Sequence, residues 1–345
     1  MRGRDPFPGM SFASRYLARF ALLTVVLLYL VVLAGSIVRA TGSGMGCPDW
    51  PKCYGQYIPP TDVSQVDFSK LDIEKFRDAW QRKGHERTEI THETLRRDFS
   101  VRATWIEFSN RFVGMISGLA ALATFICALM MRPRKIKLII LLLGQLVLFG
   151  TVAWLGKVVV DTNLAPWKIT AHMGLAVALV TTALLARHWI APGESVPVSL
   201  SQRWHLIAAF VFLAAQIIIG TQVREMVDHL GPDECCGGRL EEALGVPMVW
   251  HRVGAISVLT LVALAFFRLK ISAGAEAAAP WLITFMGLIV CAEYGVGVLL
   301  IKLQLPAFLQ PVHLFMAVVL HGLLFMLLLR SRLHTQPPAT NLALA

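Results

Sequence analysis

The sequence predicts an all-α integral membrane protein in which eight transmembrane helices form two tandem, parallel four-helix bundles. Three observations favour this fold. The 345 residues are 56% hydrophobic and only 16% charged, whereas soluble domains carry about 25% charged residues. The apolar residues gather in eight runs close to the length that crosses a bilayer, about 20 residues. Landmark residues recur at a fixed spacing, which indicates a duplicated unit.

The eight runs are predicted to be helices, because a chain that crosses lipid must satisfy its backbone hydrogen bonds within itself. They cover residues 20–38, 112–131, 138–155, 169–185, 207–223, 249–267, 282–301 and 313–329. We therefore expect an N-terminal tail (1–19), a first bundle (20–185) with a long outer loop (41–103), a linker (186–204), a second bundle (205–330) and a C-terminal tail (331–345).

The distribution of basic residues predicts the orientation of these helices. With the N-terminus inside, the cytoplasmic segments hold 14 Lys and Arg, and the three short outer loops hold five. Cytoplasmic loops of membrane proteins carry such an excess. The net charge of +10 therefore indicates an orientation in membrane lipid and not a nucleic-acid partner. Both termini are expected on the cytoplasmic side.

The repeat is visible in residues that have a counterpart 141 positions later (251 − 110). The counterpart of Asn110 is His251, that of His172 is His313, and that of Gly156 is Gly297. The end of the first run, Gly-Ser-Ile-Val-Arg at 35–39, returns as Gly-Thr-Gln-Val-Arg at 220–224. That second offset, 185, is 44 larger (185 − 141), which fits extra residues in the first outer loop. An even number of helices per unit keeps both copies in one orientation, unlike the inverted repeats of many transporters.

The two copies differ at an ionisable residue near the mouth of an apolar run. Glu107 in the first copy is replaced by Met248 in the second. Ionisable residues are expensive at membrane depth and by default suggest a function. Because the duplicated frame accepts a methionine at this place, we predict that Glu107 is catalytic. The structural alternative is a salt bridge to Arg111 or Arg39.

Three histidines and one asparagine begin helices at one predicted depth near the outer face: His172, His251, His313 and Asn110. His251 and His313 fall on two helices of one bundle, an arrangement that can hold a haem by both axial positions. We therefore predict that the three histidines are metal ligands. The alternative is that they are interfacial histidines at helix starts.

Four arginines stand at equivalent places in the two copies: Arg39, Arg111, Arg224 and Arg252. Arg39 and Arg224 end the first and fifth runs on the outer side, and the other two follow positions 110 and 251. Haem carries two propionates that need cations close to lipid, so these arginines are predicted to bind propionates. The alternative is that they extend toward lipid headgroups.

Four cysteines fall in predicted outer loops: Cys47, Cys53, Cys235 and Cys236. Disulfides persist on the oxidising side of a membrane, and the short spacing of the first two predicts a Cys47–Cys53 bridge. A zinc site is the alternative, although the spacings match no common finger pattern. The adjacent pair at 235 and 236 could be a bridge or two thiols.

Taken together, these motifs resemble those of the haem A synthase family over nearly the whole chain. They are the turn at 35–39, the loop Cys47-Pro48-Asp49-Trp50, Glu107 with Asn110-Arg111, His172, Trp250-His251-Arg252 and His313. The resemblance implies oxidation of the C8 methyl of haem O to a formyl group, giving haem A for cytochrome oxidase. It implies a bacterial cytoplasmic membrane here, with haem O as substrate and haem O synthase and cytochrome oxidase assembly proteins as partners.

The resemblance also implies a division of labour between the bundles. The second bundle would hold haem b between His251 and His313, with Arg224 and Arg252 nearby. The first would receive haem O near His172, Asn110, Arg39 and Arg111, with Glu107 as its acid–base residue. The family usually has Glu-x-x-His where this chain has Glu107-Phe-Ser-Asn110. Asparagine is a poor iron ligand, so His172 would be the only histidine on the substrate iron.

Two other classes of protein remain open on the residues alone. A dihaem b-type electron-transfer protein without haem A formation would need the same histidines, but not an acid in one half only. A transporter would more often show helices broken by Gly or Pro at mid-membrane.

Overall fold

The computed structural model describes residues 12–47, 49–74, 91–162, 164–229, 240–273 and 280–333. The predictions on Cys235 and Cys236 lie outside the described residues. Within them, eight helices are long and apolar enough to cross a membrane, as the sequence predicted. We number these α1 (Phe12–Ala40), α2 (Val101–Met130), α3 (Ile136–Asp161), α4 (Pro166–Ile190), α5 (Leu200–His229), α6 (Leu240–Ala273), α7 (Pro280–Lys302) and α8 (Leu309–Arg330).

Several helices are longer than the apolar runs, and four predicted boundaries need correction. α1 begins at Phe12, inside the predicted tail 1–19, and α2 begins at Val101, inside the predicted loop 41–103. α4 continues to Ile190 and α5 begins at Leu200, so both enter the predicted linker 186–204. An apolar run marks only the part of a helix that meets lipid, whereas backbone hydrogen bonding continues until a cap ends it. At α2 that cap is Ser100, whose side chain accepts a hydrogen bond from the Ala103 N–H.

α6 contains a kink at the start of its membrane-crossing part, Leu244–Ile271. Gly245 adopts a φ of 51° and a ψ of −141°, and Pro247 follows two residues later. A positive φ is a conformation that glycine adopts without steric cost, and proline removes a helical hydrogen bond. The kink therefore separates the entry segment of α6 from the regular helix that carries His251.

Each half of the chain closes into a ring of four helices. α1 packs on α2, α2 on α3, α3 on α4 and α4 on α1, and the helices from α5 to α8 repeat this order. The halves meet through α1, α4, α5 and α8. One apolar core cluster includes buried residues from all four of these helices, so the two bundles share a packed interface.

A two-stranded parallel ribbon lies at the end of the bundles where α4 and α8 finish. Strand β1 (Val196–Val198) pairs with strand β2 (Ser331–Leu333). β1 belongs to the predicted linker and β2 to the predicted C-terminal tail, so these segments are joined. We call the opposite end, where residues 41–100 connect α1 to α2, the loop end.

Candidate functional site at the loop end

Four polar side chains lie in equivalent contacts, each against a glycine of a neighbouring helix. A Cβ atom at Gly156, Gly220 or Gly297 would lie 3.2 Å from the Cε1 atom of His172, His251 or His313, respectively. A Cβ atom at Gly35 would lie 3.7 Å from Asn110 Oδ1. The glycines therefore leave room for the rings and the amide, and the repeat seen in the sequence is also a repeat of side-chain packing.

His251 and His313 face each other across the second bundle. Their ring centroids are 6.3 Å apart and the rings are inclined by 82°. Metal–imidazole bonds are about 2 Å long, so two imidazoles on opposite sides of one iron would have centroids roughly 6 Å apart. Both rings line a cavity of about 490 Å³, within the usual range for ligand pockets of about 300–1,000 Å³. The pair thus fits a haem held by both axial positions.

Basic residues surround the loop end of this cavity. Arg39, Arg224 and Arg252 all line it. Arg39 Nη2 lies 2.9 Å from Asp228 Oδ2, and Arg224 Nη1 lies 2.7 Å from Asp228 Oδ1. Arg39 comes from the first bundle and was predicted to serve the substrate haem, yet its side chain reaches the cavity of the second bundle. The shared aspartate fixes both guanidinium groups beside that cavity.

Two polar residues beside the histidines were not identified from the sequence. Glu293 Oε1 lies 3.0 Å from His313 Nδ1. Gln216 Nε2 donates a hydrogen bond to the backbone oxygen of His251 at 2.5 Å and lies 2.9 Å from His251 Nδ1. Glu293 is a carboxylate inside the apolar run 282–301, and the cost of such groups in lipid is a signal that could have identified it.

Glu107 is buried in α2 directly beneath the outer loop, with 4% of its surface exposed. Its Oε2 accepts a hydrogen bond from the Cys47 N–H at 2.7 Å, and its Oε1 pairs with Arg111 one turn later. The ion pair is the structural alternative that the sequence left open. The catalytic role of Glu107 stays a prediction, because the ion pair and a reaction at this carboxylate do not exclude one another.

Arg111 holds the outer loop from inside the bundle. Its guanidinium donates hydrogen bonds to the backbone oxygens of Cys47 at 2.6 Å, Asp49 at 3.0 Å and Lys52 at 3.2 Å. A nearby second anchor is Thr104, whose hydroxyl donates to the Gly46 oxygen at 2.9 Å. In this arrangement Arg111 binds backbone carbonyl groups of the loop; its predicted propionate contact stays a prediction.

The predicted Cys47–Cys53 disulfide is confirmed, with a Cα–Cα separation of 4.6 Å. It closes the segment of loop that Glu107 and Arg111 contact. Gly46 makes this close approach possible, because a Cβ atom there would lie 2.7 Å from the Thr104 nitrogen. Tyr54 follows directly after this segment, and burial, then the charges of Asp49 and Glu107, raise its pKa to about 12. The tyrosine is therefore a neutral hydroxyl at physiological pH.

The Asn110–His172 pair of the first bundle matches the His251–His313 pair in position but not in surroundings. Asn110 Oδ1 is buried and accepts no hydrogen bond from the described residues. His172 lies against the backbone of Val152, which occupies the place that Glu293 takes in the second bundle (293 − 141). An orphaned buried oxygen is consistent with a ligand or water in this half.

Comparison with known proteins gives a family for this arrangement. Residues 18–325 match the family model described as cytochrome oxidase assembly protein. The chain belongs to this family.

Three bacterial proteins that are similar to this chain are named Heme A synthase. One from Shewanella oneidensis is 28% identical over 57% of this chain and 54% of its own length. One from Nitrosomonas eutropha is 28% identical over 53% of this chain and 49% of its own length. One from Halalkalibacterium halodurans is 23% identical over 92% of this chain and 98% of its own length. The chain therefore spans about half the length of the first two relatives and nearly all of the third.

Proposed function

We propose that this protein is a haem A synthase, which oxidises the C8 methyl group of haem O to a formyl group and so supplies haem A for cytochrome oxidase. The observation that carries the proposal is the duplicated pair of ligand positions at the loop end. One copy has two facing histidines with Glu293 beside them, and the other has one histidine and one asparagine, with the buried carboxylate of Glu107 three residues before the asparagine. Family membership and the names of the relatives support the same reaction.

In the second bundle, His251 and His313 would hold a haem b cofactor. When bound, haem b supplies one-electron redox chemistry. Arg39, Arg224 and Arg252 would bind its propionates, since all three line the cavity at the loop end. Asp228 keeps two of these guanidinium groups in place. The largely apolar walls of the cavity would keep water away from the bound group.

Packing around His313 gives a direct test of this cofactor site. Gly297→Ala should lower haem b content roughly tenfold, the smaller end of the effect of changes beside a ligand. A Cβ atom there would press on the His313 ring at 3.2 Å. The measurement is the haem-to-protein ratio from absorbance of the purified protein.

Gly295→Ala is the matched control for that change. It lies on the same helix, and a Cβ atom there would meet nothing within 4 Å. Equal haem content in the two alanine variants would contradict the assignment of His313 as a ligand.

In the first bundle, haem O would be the substrate, with His172 as its histidine ligand and Asn110 on the opposite side. Oxidation of a methyl to a formyl group consumes one water molecule and releases four electrons and four protons. The electrons would pass to an acceptor through the redox chemistry of haem. Glu107 would accept protons or position the attacking water, a task suited to a carboxylate within reach of substrate. Arg111 holds the loop over this site.

Asn110→His should change the coordination of iron in the first bundle. Asn110 faces Gly35 as His251 faces Gly220, so a histidine there would stand opposite His172. We expect bound haem O to become six-coordinate and low-spin, seen as a sharpened absorbance spectrum and low-spin g values in electron paramagnetic resonance. An unchanged haem O spectrum would mean that residue 110 does not face the iron.

The proposed setting is the bacterial cytoplasmic membrane, with both termini on the cytoplasmic side and the loop end outside. Membrane lipid surrounds the exposed apolar faces. Haem O synthase is the expected source of substrate, and cytochrome oxidase assembly proteins are the expected recipients of the product.

The deciding experiment identifies the haem that cells make when they produce this protein. Cells that produce haem O but lack haem A are given this chain, and extracted haems are separated by chromatography. Haem A in the extract is the expected result. Haem O alone, together with a bis-histidine spectrum in the purified protein, would overturn the proposal in favour of a dihaem electron-transfer protein.

A further inference from the structure

Four positions of the repeat lie one helical turn before the glycines that contact the ligand positions. In the second bundle they are Gln216, four residues before Gly220, and Glu293, four residues before Gly297. Their equivalents in the first bundle are Val31, at the 185 offset, and Val152, at the 141 offset. The repeat therefore places polar side chains around one pair of ligand positions and valines around the other.

Glu293 makes the closest of these contacts. Its Oε1 lies 3.0 Å from His313 Nδ1, and only 13% of its side chain is exposed. It lines the same cavity as His251 and His313. A carboxylate in an apolar helix costs free energy unless it has a partner. The equivalent residue of the first bundle is Val152, which has no charge and avoids that cost entirely.

The contact between the Glu293 carboxylate and His313 Nδ1 favours one tautomer of the ring. A carboxylate beside Nδ1 favours a proton on that atom, which leaves the Nε2 lone pair free to bind a metal. Metal-ligating histidines commonly donate their second N–H to a carboxylate, and this raises the basicity of the ligand. A more basic ligand stabilises the ferric state of an iron, so it lowers the reduction potential.

We propose that Glu293 is a positioning residue that orients His313 and lowers the reduction potential of the haem held by the second bundle. This inference rests on the haem b site proposed above. The Gln216 amide beside His251 is neutral, so the carboxylate acts on one axial ligand only. The first bundle, with Val152 beside His172, has no equivalent of it. Glu293 would therefore contribute to a difference in potential between the irons of the two bundles.

Glu293→Gln and Glu293→Val form a graded series for the test. Glutamine keeps an oxygen that can accept from Nδ1 but removes the charge, and valine restores the residue of the first bundle. The measurement is the midpoint potential of haem b in the purified holoprotein by redox titration, with the g values of the ferric haem as a second readout. Cys291→Ser is the control, because it is an exposed position on the same helix.

We expect the ferric–ferrous equilibrium to shift toward ferrous by at least tenfold in Glu293→Val, about 59 mV for a one-electron couple. Glu293→Gln should shift less in the same direction, and Cys291→Ser should match the parent protein. Parent potentials and g values in both Glu293 variants, with haem retained, would overturn the inference and leave the haem b site standing.

If both variants lose the haem, Glu293→Asp decides the matter. Restored haem with a parent-like potential in Glu293→Asp supports the inference, since the shorter side chain keeps the charge. Failure of aspartate to restore the haem would mean that the side chain fills space only. The proposed haem b site fails separately, if the parent protein itself has no low-spin bis-histidine haem.

Discussion

His251→Ala and His313→Ala are each expected to remove the low-spin bis-histidine spectrum. Each should also lower haem b content by more than about tenfold, because changes to residues beside a ligand already cost about that much. The two rings stand 6.3 Å apart across one cavity, so loss of either ring leaves the other without its partner across the cavity. The measurements are the α-band of the dithionite-reduced protein and the haem-to-protein ratio.

His321→Gln is the matched control for loss of a histidine from α8. His321 is buried, stacks on Phe210 with ring centroids 4.4 Å apart and lies 3.1 Å from the Thr181 hydroxyl. It does not line the cavity. The control should keep the haem spectrum while it lowers the stability of the interface between the bundles. An unchanged spectrum in both His251→Ala and His313→Ala would remove the haem b assignment.

The sequence was sufficient for the fold because its signals are local or periodic. Apolar length identifies a spanning helix without knowledge of its neighbours, and the 141-residue offset pairs Asn110 with His251 before any helix is packed. The Cys47–Cys53 bridge was equally accessible, since the two cysteines are six positions apart along the chain. These predictions depend on composition and spacing along the chain and not on tertiary contacts.

Other features required the packing of helices that are distant in sequence. Glu293 meets His313 only because α7 lies beside α8, and a single apolar run does not show which face of α7 turns inward. Arg39 reaches the second bundle for a similar reason: it meets Asp228, 189 positions later. Two helices from different repeats must first be placed side by side. The offset relates equivalent residues, but it contains no information on how the two copies are docked.

Glu107 combines both kinds of information. The sequence singled it out because Met248 replaces it in the second copy. The structure adds that its carboxylate accepts from Cys47 N–H at 2.7 Å and pairs with Arg111. Substitution of Glu107 would lower activity whether the residue anchors the loop or transfers protons. A test must therefore separate the two roles.

Glu107→Gln is expected to lower haem A formation by at least about 100-fold, the smaller end of general acid–base contributions. Glutamine keeps an oxygen that can accept the Cys47 N–H, but it cannot exchange a proton in the reaction. Haem O, or a partly oxidised alcohol, should accumulate. The haem b spectrum should stay intact, because Glu107 does not line the cavity of the second bundle. The measurement is chromatography of haems extracted from cells that supply haem O.

Thr104→Val is the control for anchoring of the loop. It removes the hydrogen bond from the Thr104 hydroxyl to the Gly46 oxygen one turn before Glu107, yet leaves the carboxylate and its partners in place. If the carboxylate acts on protons, Thr104→Val keeps most of the haem A output and Glu107→Gln loses it. Equal losses in the two variants would reduce Glu107 to an anchor for the loop, and normal haem A output from Glu107→Gln would end its catalytic assignment.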